Sequence, residues 1–282
     1  MATIGQVLQR HELIGNLVGR ELRARYKQSV LGMTWSVVTP LINTLLFTFV
    51  FNRVAAIPEP RNAAGQAIPY ALFVYVGTMF WNFFAAGLSS GTDSMTSNLQ
   101  LLTKVYFPRE IFTLSAIAAR VADLGFSFIV FVLLMASFGL TRHLIFSWTM
   151  VFAPFILLIQ MVLMLGLSFL LATVNLFYRD VRFIIGLVLQ VWVFLTPVNY
   201  PLSKFLSSTH HHAALTWVYL HLNPMTPLMM AYQHLILNMD TPGITLLSLW
   251  GLVAGSAALS VLVLLLGYSV FVKYEGAFAE AI

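Results

Sequence analysis

A chain of 282 residues with 59 % hydrophobic and only 9 % charged side chains cannot cover a water-facing surface, because soluble domains carry about 25 % charged residues. The composition predicts an integral membrane protein and excludes a soluble globular domain. The net charge of +5 is not clustered on a soluble basic face, so it indicates membrane topology and no nucleic-acid partner. The absence of cysteine excludes disulfides, thiolate metal sites and cysteine nucleophiles.

The N-terminal residues 1–27 predict an amphipathic helix that lies in the membrane interface. Apolar residues recur three or four positions apart, and the opposite face is basic. Four cations stand just ahead of the first apolar run: Arg20, Arg23, Arg25 and Lys27. Such a helix is either a topology anchor alone or a surface that also contacts a cytosolic protein.

Windows without charged residues predict six membrane-spanning helices, because about 20 apolar residues cross a bilayer core of about 30 Å. The spans lie near residues 30–51, 68–88, 113–140, 148–176, 183–200 and 244–272. The predicted fold is an all-α integral membrane protein with a single transmembrane domain over residues 1–282. Six spans put both termini on one side, and the excess of lysine and arginine there predicts the cytoplasmic side.

Two charged segments connect spans on this predicted cytoplasmic side. Residues 98–112 combine charged and aromatic side chains around Pro108, a mixture typical of protein contacts, with Lys104, Tyr106, Arg109 and Glu110 as its main members. The second segment is the short turn that contains Arg179, Asp180 and Arg182. Each segment is either an ordinary membrane-interface loop or a contact with a cytosolic partner.

The segment between the fifth and sixth predicted spans, residues 201–243, is long and contains four prolines. Its apolar patches predict short interfacial or re-entrant helices rather than a folded soluble domain. His210, His211 and His212, with His221 nearby, do not predict a metal site, because a contiguous triplet does not direct three rings at one ion.

Two further patterns lie inside the predicted spans. Arg120 and Asp123 are three residues apart, so they share a helix face and can pair. Ionisable residues within a span are functional candidates, and the alternative is a charge-neutralised structural pair. A single pair argues against an ion-coupled transporter, which places several such groups at the midplane. Gly251 and Gly255 form a GxxxG pattern that permits close helix packing.

No catalytic, metal or cofactor site is predicted for this chain. It has no GxxxxGK[ST] phosphate loop, and no catalytic triad or metal-hydrolase motif stands in a convincing setting. We therefore expect no enzymatic activity in this polypeptide. Trp35, Trp81 and Trp192 are the aromatic candidates for lining a channel or an interface.

Four segments, taken in order, resemble one family of membrane proteins. They are RELRARYKQSVLGMTWSVVTPL (20–41), NLQLLTKVYFPREIF (98–112), NLFYRDVRFIIGLVLQVWVFLTPVNYP (175–201) and NPMTPLMMAYQHLIL (223–237). Together they are similar to the permease subunits of ABC type-2 exporters of polysaccharides, which include the O-antigen, capsule and teichoic-acid exporters. The resemblance covers nearly the whole chain.

The resemblance implies a homodimeric export channel in the bacterial cytoplasmic (inner) membrane, driven by two copies of a separate ABC ATPase that binds ATP and Mg²⁺. The implied cargo is a polyprenyl-pyrophosphate-linked glycan. Residues implied for loading the lipid phosphate and docking the ATPase are Arg20, Arg23, Arg25 and Lys27. Those implied for coupling are Lys104, Tyr106, Arg109, Glu110, Arg179, Asp180 and Arg182, and those for an outer gate are Asn223, Pro224, Pro227 and Tyr232. Alternatives are a type-2 permease for a drug or small lipid and a membrane scaffold without transport.

Overall fold

The computed structural model describes residues 11–26, 34–99, 101, 108–142, 147–209, 213–240 and 243–279. Every named element within these residues is helical, apart from two isolated β-bridges. The helices are α1 His11–Tyr26, α2 Trp35–Phe47, α3 Tyr70–Asp93, α4 Glu110–Arg142, α5 Ala153–Phe177, α6 Val181–Trp192, α7 Leu202–Thr209, α8 Ala213–His221, α9 Met225–Leu237 and α10 Leu246–Tyr274. A π-helical segment, Thr48–Val54, extends α2. A 3-10 turn at Thr96–Asn98 follows α3, and another at Trp148–Phe152 precedes α5. A third, Glu275–Ala279, ends the described chain.

Five helices among the described residues are long and apolar enough to cross a membrane. They cover residues 37–54, 70–93, 110–140, 148–177 and 246–274 and overlap five of the six predicted spans. The predicted fifth span near residues 183–200 is not one continuous helix, and the count of six spanning helices is not confirmed. Helix α6 has 12 residues and is about 18 Å long, which is shorter than a bilayer core.

Proline explains why this helix stops early. Residues 193–200 continue as turns and bends after Trp192, and Pro197 lies within them. Proline has no amide hydrogen to donate, and its ring collides with the carbonyl four residues earlier in a helix. The residue before proline is also pushed towards an extended conformation. The apolar run therefore contains a helix and a non-helical segment instead of one long helix.

Helix α3 is the central element of the bundle, and most of its residues are buried. It packs against α4 and α5, and its side chains Phe73, Tyr75 and Phe84 are fully buried in the main core. The backbone of the non-helical segment approaches α3 at Gly77. A Cβ atom at Gly77 would lie only 3.0 Å from the carbonyl carbon of Val198, so only glycine fits at this contact.

The two ends of α3 define the two ends of the molecule. At its C-terminal end, Asn175 Nδ2 of α5 donates to the Thr92 carbonyl over 3.1 Å. At its N-terminal end, the Tyr70 hydroxyl donates to the Asn199 carbonyl over 2.7 Å. The chain between Asn175 and Asn199 therefore runs along the whole length of α3, which is about 36 Å. We call the end at Thr92 the charged end and the end at Tyr70 the opposite end.

Helices α5 and α10 make the closest helix pair of the fold. A Cβ atom at Gly166 would lie 2.5 Å from the Leu264 amide nitrogen, and a Cβ atom at Gly267 would lie 3.0 Å from the Gly166 carbonyl carbon. The GxxxG glycines, Gly251 and Gly255, are on another face of α10. No atom of the described residues lies within 4 Å of a Cβ placed at either one, so this pattern does not make the close contact within the chain.

We expect Gly267→Ala to destabilise the folded chain. The added methyl group collides with the Gly166 backbone, and overpacking of this kind costs about 1–3 kcal/mol. The matched control is Gly251→Ala on the same helix, where the methyl group meets open space and helix propensity improves. Thermal unfolding in detergent measures both variants. Equal stability of Gly267→Ala and the wild-type chain would contradict the close α5–α10 contact.

Candidate functional site

The N-terminal helix α1 lies at the charged end of the molecule. Arg20 is exposed, and its guanidinium donates to Asn98 Oδ1 in the turn after α3. Arg23 is exposed and donates to the Gly19 carbonyl of its own helix over 3.1 Å. The apolar face of α1 contributes Leu17 to a small second core. The side chain of Arg25 and the whole of Lys27 lie outside the described residues.

The first charged segment, residues 98–112, is called the first loop from here on. It enters α4 at Arg109 and Glu110, and both side chains turn towards the rest of the chain. Arg109 is half-buried, donates to the Glu275 carbonyl and lies 5.4 Å above the centre of the Phe278 ring. Glu110 is only 5 % exposed and accepts a hydrogen bond from the Tyr268 hydroxyl over 3.3 Å. A carboxylate in the first turn is also stabilised by the helix macrodipole. Lys104 and Tyr106 lie outside the described residues, so the coupling role of this loop stays a prediction.

The second charged segment, between α5 and α6, is open to solvent. Arg179, Asp180 and Arg182 are all exposed, and Tyr178 beside them is 70 % exposed. The Arg182 guanidinium lies 4.6 Å from the centre of the Phe183 ring. Exposed arginines next to exposed aromatic rings are enriched at protein interfaces, so the partner contact predicted for this turn stays a prediction that its exposure allows.

The intramembrane pair forms as its spacing predicts. Arg120 Nη1 donates to Asp123 Oδ2 over 3.2 Å. The same guanidinium also donates to Ser90 Oγ of α3, over 2.9 Å from Nε and 2.6 Å from Nη2. The charge is therefore neutralised and the group fastens α4 to α3, which favours the structural interpretation of this pair.

At the opposite end, α9 is a buried helix whose residues, apart from His234, are all inaccessible to solvent. Tyr232 stacks on Phe80 of α3 with the ring centres 3.6 Å apart and the planes at 7°. Its hydroxyl donates to Gln160 Oε1 over 2.8 Å, and Gln160 Nε2 donates to the Phe80 carbonyl over 2.9 Å. One buried network therefore joins α3, α5 and α9, and it fixes the position of α9 relative to the other two helices.

Asn223 connects the non-helical segment 193–200 to the start of α9. Its Nδ2 donates to the Leu195 carbonyl over 2.6 Å and to Thr196 Oγ1 over 3.1 Å. Its Oδ1 accepts from Trp192 Nε1 over 2.9 Å and from the Met225 amide over 3.1 Å. Pro224, directly before α9, and Pro227, in its first turn, are the other residues predicted for the gate, and both are buried.

Gln233 completes the support of this segment, because its Nε2 donates to the Pro197 carbonyl over 2.7 Å. Neither Gln233 nor Gln160 was predicted from the sequence. Their common signal is an uncharged amide within an apolar stretch, and such a group is buried only with hydrogen-bond partners. Periodicity does not indicate which backbone group the amide reaches.

Two short helices, α7 and α8, precede α9. Phe205 of α7 stacks on Tyr219 of α8 with ring centres 3.9 Å apart, and the Tyr219 and Tyr200 hydroxyls lie 2.9 Å apart. Burial raises the pKa of the Tyr219 phenol, and the neighbouring Tyr200 raises it further. The Tyr219 hydroxyl therefore stays protonated at physiological pH.

The three candidate tryptophans have different environments. Trp81 is 5 % exposed and packs edge-on against Trp192, with ring centres 6.2 Å apart at 77°. Trp192 also packs on Phe84 with ring centres 5.3 Å apart. Trp35, at the start of α2, is 50 % exposed.

The described residues contain no cluster of three or more possible metal ligands, and His210–His212 lie outside them.

These features together define a helical membrane protein with one charged end. Towards the other end, the short helix α9 is buried beside the non-helical segment 193–200. Residues 12–237 match the family of ABC-2 type transporters. The chain therefore belongs to the ABC-2 type transporter family.

Named relatives cover nearly the whole chain. It is 31 % identical over 280 residues to the O-antigen export system permease protein RfbA of Myxococcus xanthus, and this match covers 99 % of the chain and 98 % of that protein. Two proteins of the same name from Klebsiella pneumoniae are 26 % and 24 % identical over 271 residues, covering 95 % of this chain and 94 % of theirs.

We expect Tyr232→Phe to destabilise the chain by about 1–3 kcal/mol, because it leaves the fully buried Gln160 Oε1 without its donor. Adding Gln160→Leu in the same chain restores part of this loss, since neither polar partner then remains. The control is Tyr178→Phe, at an exposed position. Thermal unfolding in detergent provides the measurement. A Tyr232→Phe variant as stable as the Tyr178→Phe control would contradict the proposed network.

Proposed function

We propose that this chain is the membrane-spanning permease subunit of an ATP-driven exporter, which carries a polyprenyl-pyrophosphate-linked polysaccharide of the O-antigen type across the bacterial cytoplasmic membrane. The observation that carries the proposal is the full-length similarity to proteins named as O-antigen export permeases. Membership of the ABC-2 type transporter family and the membrane-spanning helices support it.

The energy source is a partner protein. The 282 residues contain no phosphate loop, so ATP and Mg²⁺ bind to a separate ABC ATPase. The proposed assembly is a homodimer of this chain with two ATPase subunits. Arg179 and Arg182 are exposed at the charged end, so both are accessible to that partner. Cations on this surface also suit the phosphates of the lipid carrier.

The fifth of six membrane crossings consists of α6 and the non-helical segment 193–200. The path of the chain from Asn175 to Asn199 along the whole of α3 supports this proposal. Non-helical backbone is tolerated at membrane depth where protein buries it, and Asn223 and Gln233 supply its hydrogen bonds. Six crossings place both termini in the cytoplasm, together with the charged end.

The buried helix α9 and the residues before it form the outer gate. Tyr232, stacked on Phe80 and bonded to Gln160, holds α9 in the closed arrangement. Opening this gate exchanges buried hydrogen bonds for contacts with water or with the hydroxyl groups of the passing glycan. Gate movements of this kind set the rate of many transport and catalytic cycles.

Labelling of single cysteines tests the six crossings, because the natural chain has none. We expect a membrane-impermeant maleimide added to intact spheroplasts to label Leu222→Cys and to leave Tyr178→Cys unlabelled. Both side chains are exposed, at 60 % and 70 %, so a missing label reports the side of the membrane. Inside-out vesicles should give the reverse pattern. Labelling of both cysteines from one side would contradict the crossing between them.

Export itself is tested in proteoliposomes that contain the chain, its ABC ATPase and a lipid-linked glycan on the ATPase side. We expect ATP-dependent appearance of the glycan on the other side. Arg179→Glu should weaken ATPase binding by about tenfold through charge repulsion at the interface. Lys204→Glu, an exposed cation at the opposite end, is the matched control and should bind normally. Transport of a small amphiphile without the glycan favours a drug or lipid permease, and no ATP-dependent transport favours a scaffold.

A further inference from the structure

The C-terminal turn Glu275–Ala279 returns to the start of α4, where the first loop ends. Arg109 contacts this turn twice, through a hydrogen bond to the Glu275 carbonyl and through its position 5.4 Å above the Phe278 ring. Arginine suits both contacts, since its planar guanidinium donates hydrogen bonds and also lies against an aromatic face. We call Arg109, Glu275 and Phe278 the clasp.

Phe278 makes the clasp part of the protein interior. Its side chain is fully buried, although it lies close to the end of the chain, and its ring centre is 5.4 Å from that of Phe271. The same small core contains Met95 and Phe112, and Leu17 of α1 packs against it. The N-terminal helix, the two ends of the first loop and the C-terminal turn are therefore joined by one hydrophobic cluster.

A second connection lies beside the clasp. Glu110, in the first turn of α4, accepts a hydrogen bond from Tyr268 in the last two turns of α10. The start of α4 and the end of α10 are thus tied by a hydrogen bond and by the clasp. Helix α10 in turn packs on α5 with direct backbone contact at Gly166 and Gly267. A displacement at the start of α4 consequently reaches two tightly packed spanning helices.

From this arrangement, we infer that the clasp transmits movement of the first cytoplasmic loop to the last membrane-spanning helix. Arg109 is a positioning residue that acts through the C-terminal turn, and it does not dock on the ATPase itself. Its guanidinium is half-buried and engaged within the chain, in contrast to the exposed Arg179. The inference rests on the proposed function for the source of the movement, whereas the clasp itself is independent of the cargo.

A spin label at Gly276→Cys tests the clasp on the cysteine-free chain. Gly276 is exposed, and no atom of the described residues lies within 4 Å of a Cβ placed there. We expect Arg109→Gln and Phe278→Leu to raise the ratio of mobile to immobile label about tenfold, because each removes the cation–ring contact. Arg109→Lys keeps the charge and gives a smaller rise. Lys273→Gln, an exposed cation on the last turn of α10, is the control and leaves the ratio unchanged.

The functional measurement is the amount of glycan exported per ATP hydrolysed by the complete complex in proteoliposomes. We expect Arg109→Gln to lower this ratio about tenfold while the amount of bound ATPase stays normal, a combination that simple loss of folding does not produce. The inference is overturned if the spin label stays immobile in Arg109→Gln. It is also overturned if Arg109→Gln exports as much glycan per ATP hydrolysed as the wild-type chain, or if the variant no longer binds the ATPase. A wild-type complex that exports no glycan refutes the proposed function, and the label measurement still decides whether the clasp exists.

Discussion

The requirement that every backbone polar group in a membrane be satisfied by protein determines most of this structure. The segment 193–200 is not helical, so its carbonyl groups need partners that lipid cannot supply. Asn223 and Gln233 provide two of these partners, and Tyr70 provides another at the end of α3. Gly77 allows the segment to touch α3 directly. Residues 196–199 of this segment are buried, whereas the side chains of Phe194 and Leu195 are exposed.

The two ends of the molecule are connected by packed helices rather than by flexible linkers. Helices α3 and α5 run between them, with Asn175 at the charged end and the Phe80–Tyr232–Gln160 network near the middle of α3. Helix α10 is joined to α5 by direct backbone contact. Packed helices shift as units with two discrete arrangements. The described helices between the charged end and α9 therefore form one continuous packed structure.

Much of the fold could be predicted from the sequence, and the exceptions have identifiable causes. Helices long and apolar enough to cross a membrane lie at five of the six predicted spans, and Arg120 pairs with Asp123, because span length and spacing on one helix are local properties. The prediction of one long helix across residues 183–200 is wrong. It followed the hydropathy of the segment and neglected the helix-breaking effect of Pro197. Burial of Glu110 was missed because its partner Tyr268 is 158 residues away in the chain.

The sequence by itself determined that this protein is a membrane protein, which five stretches form helices long enough to cross a membrane, and which family it belongs to. These properties depend on local hydropathy, on charge and on motifs in a fixed order. Only the tertiary structure decided which polar side chains donate hydrogen bonds to the non-helical segment 193–200 and which glycines allow close packing of two helices. It also decided that Arg109 faces the C-terminal turn. Such contacts link residues far apart in the chain, so they exist only once the helices have packed against each other.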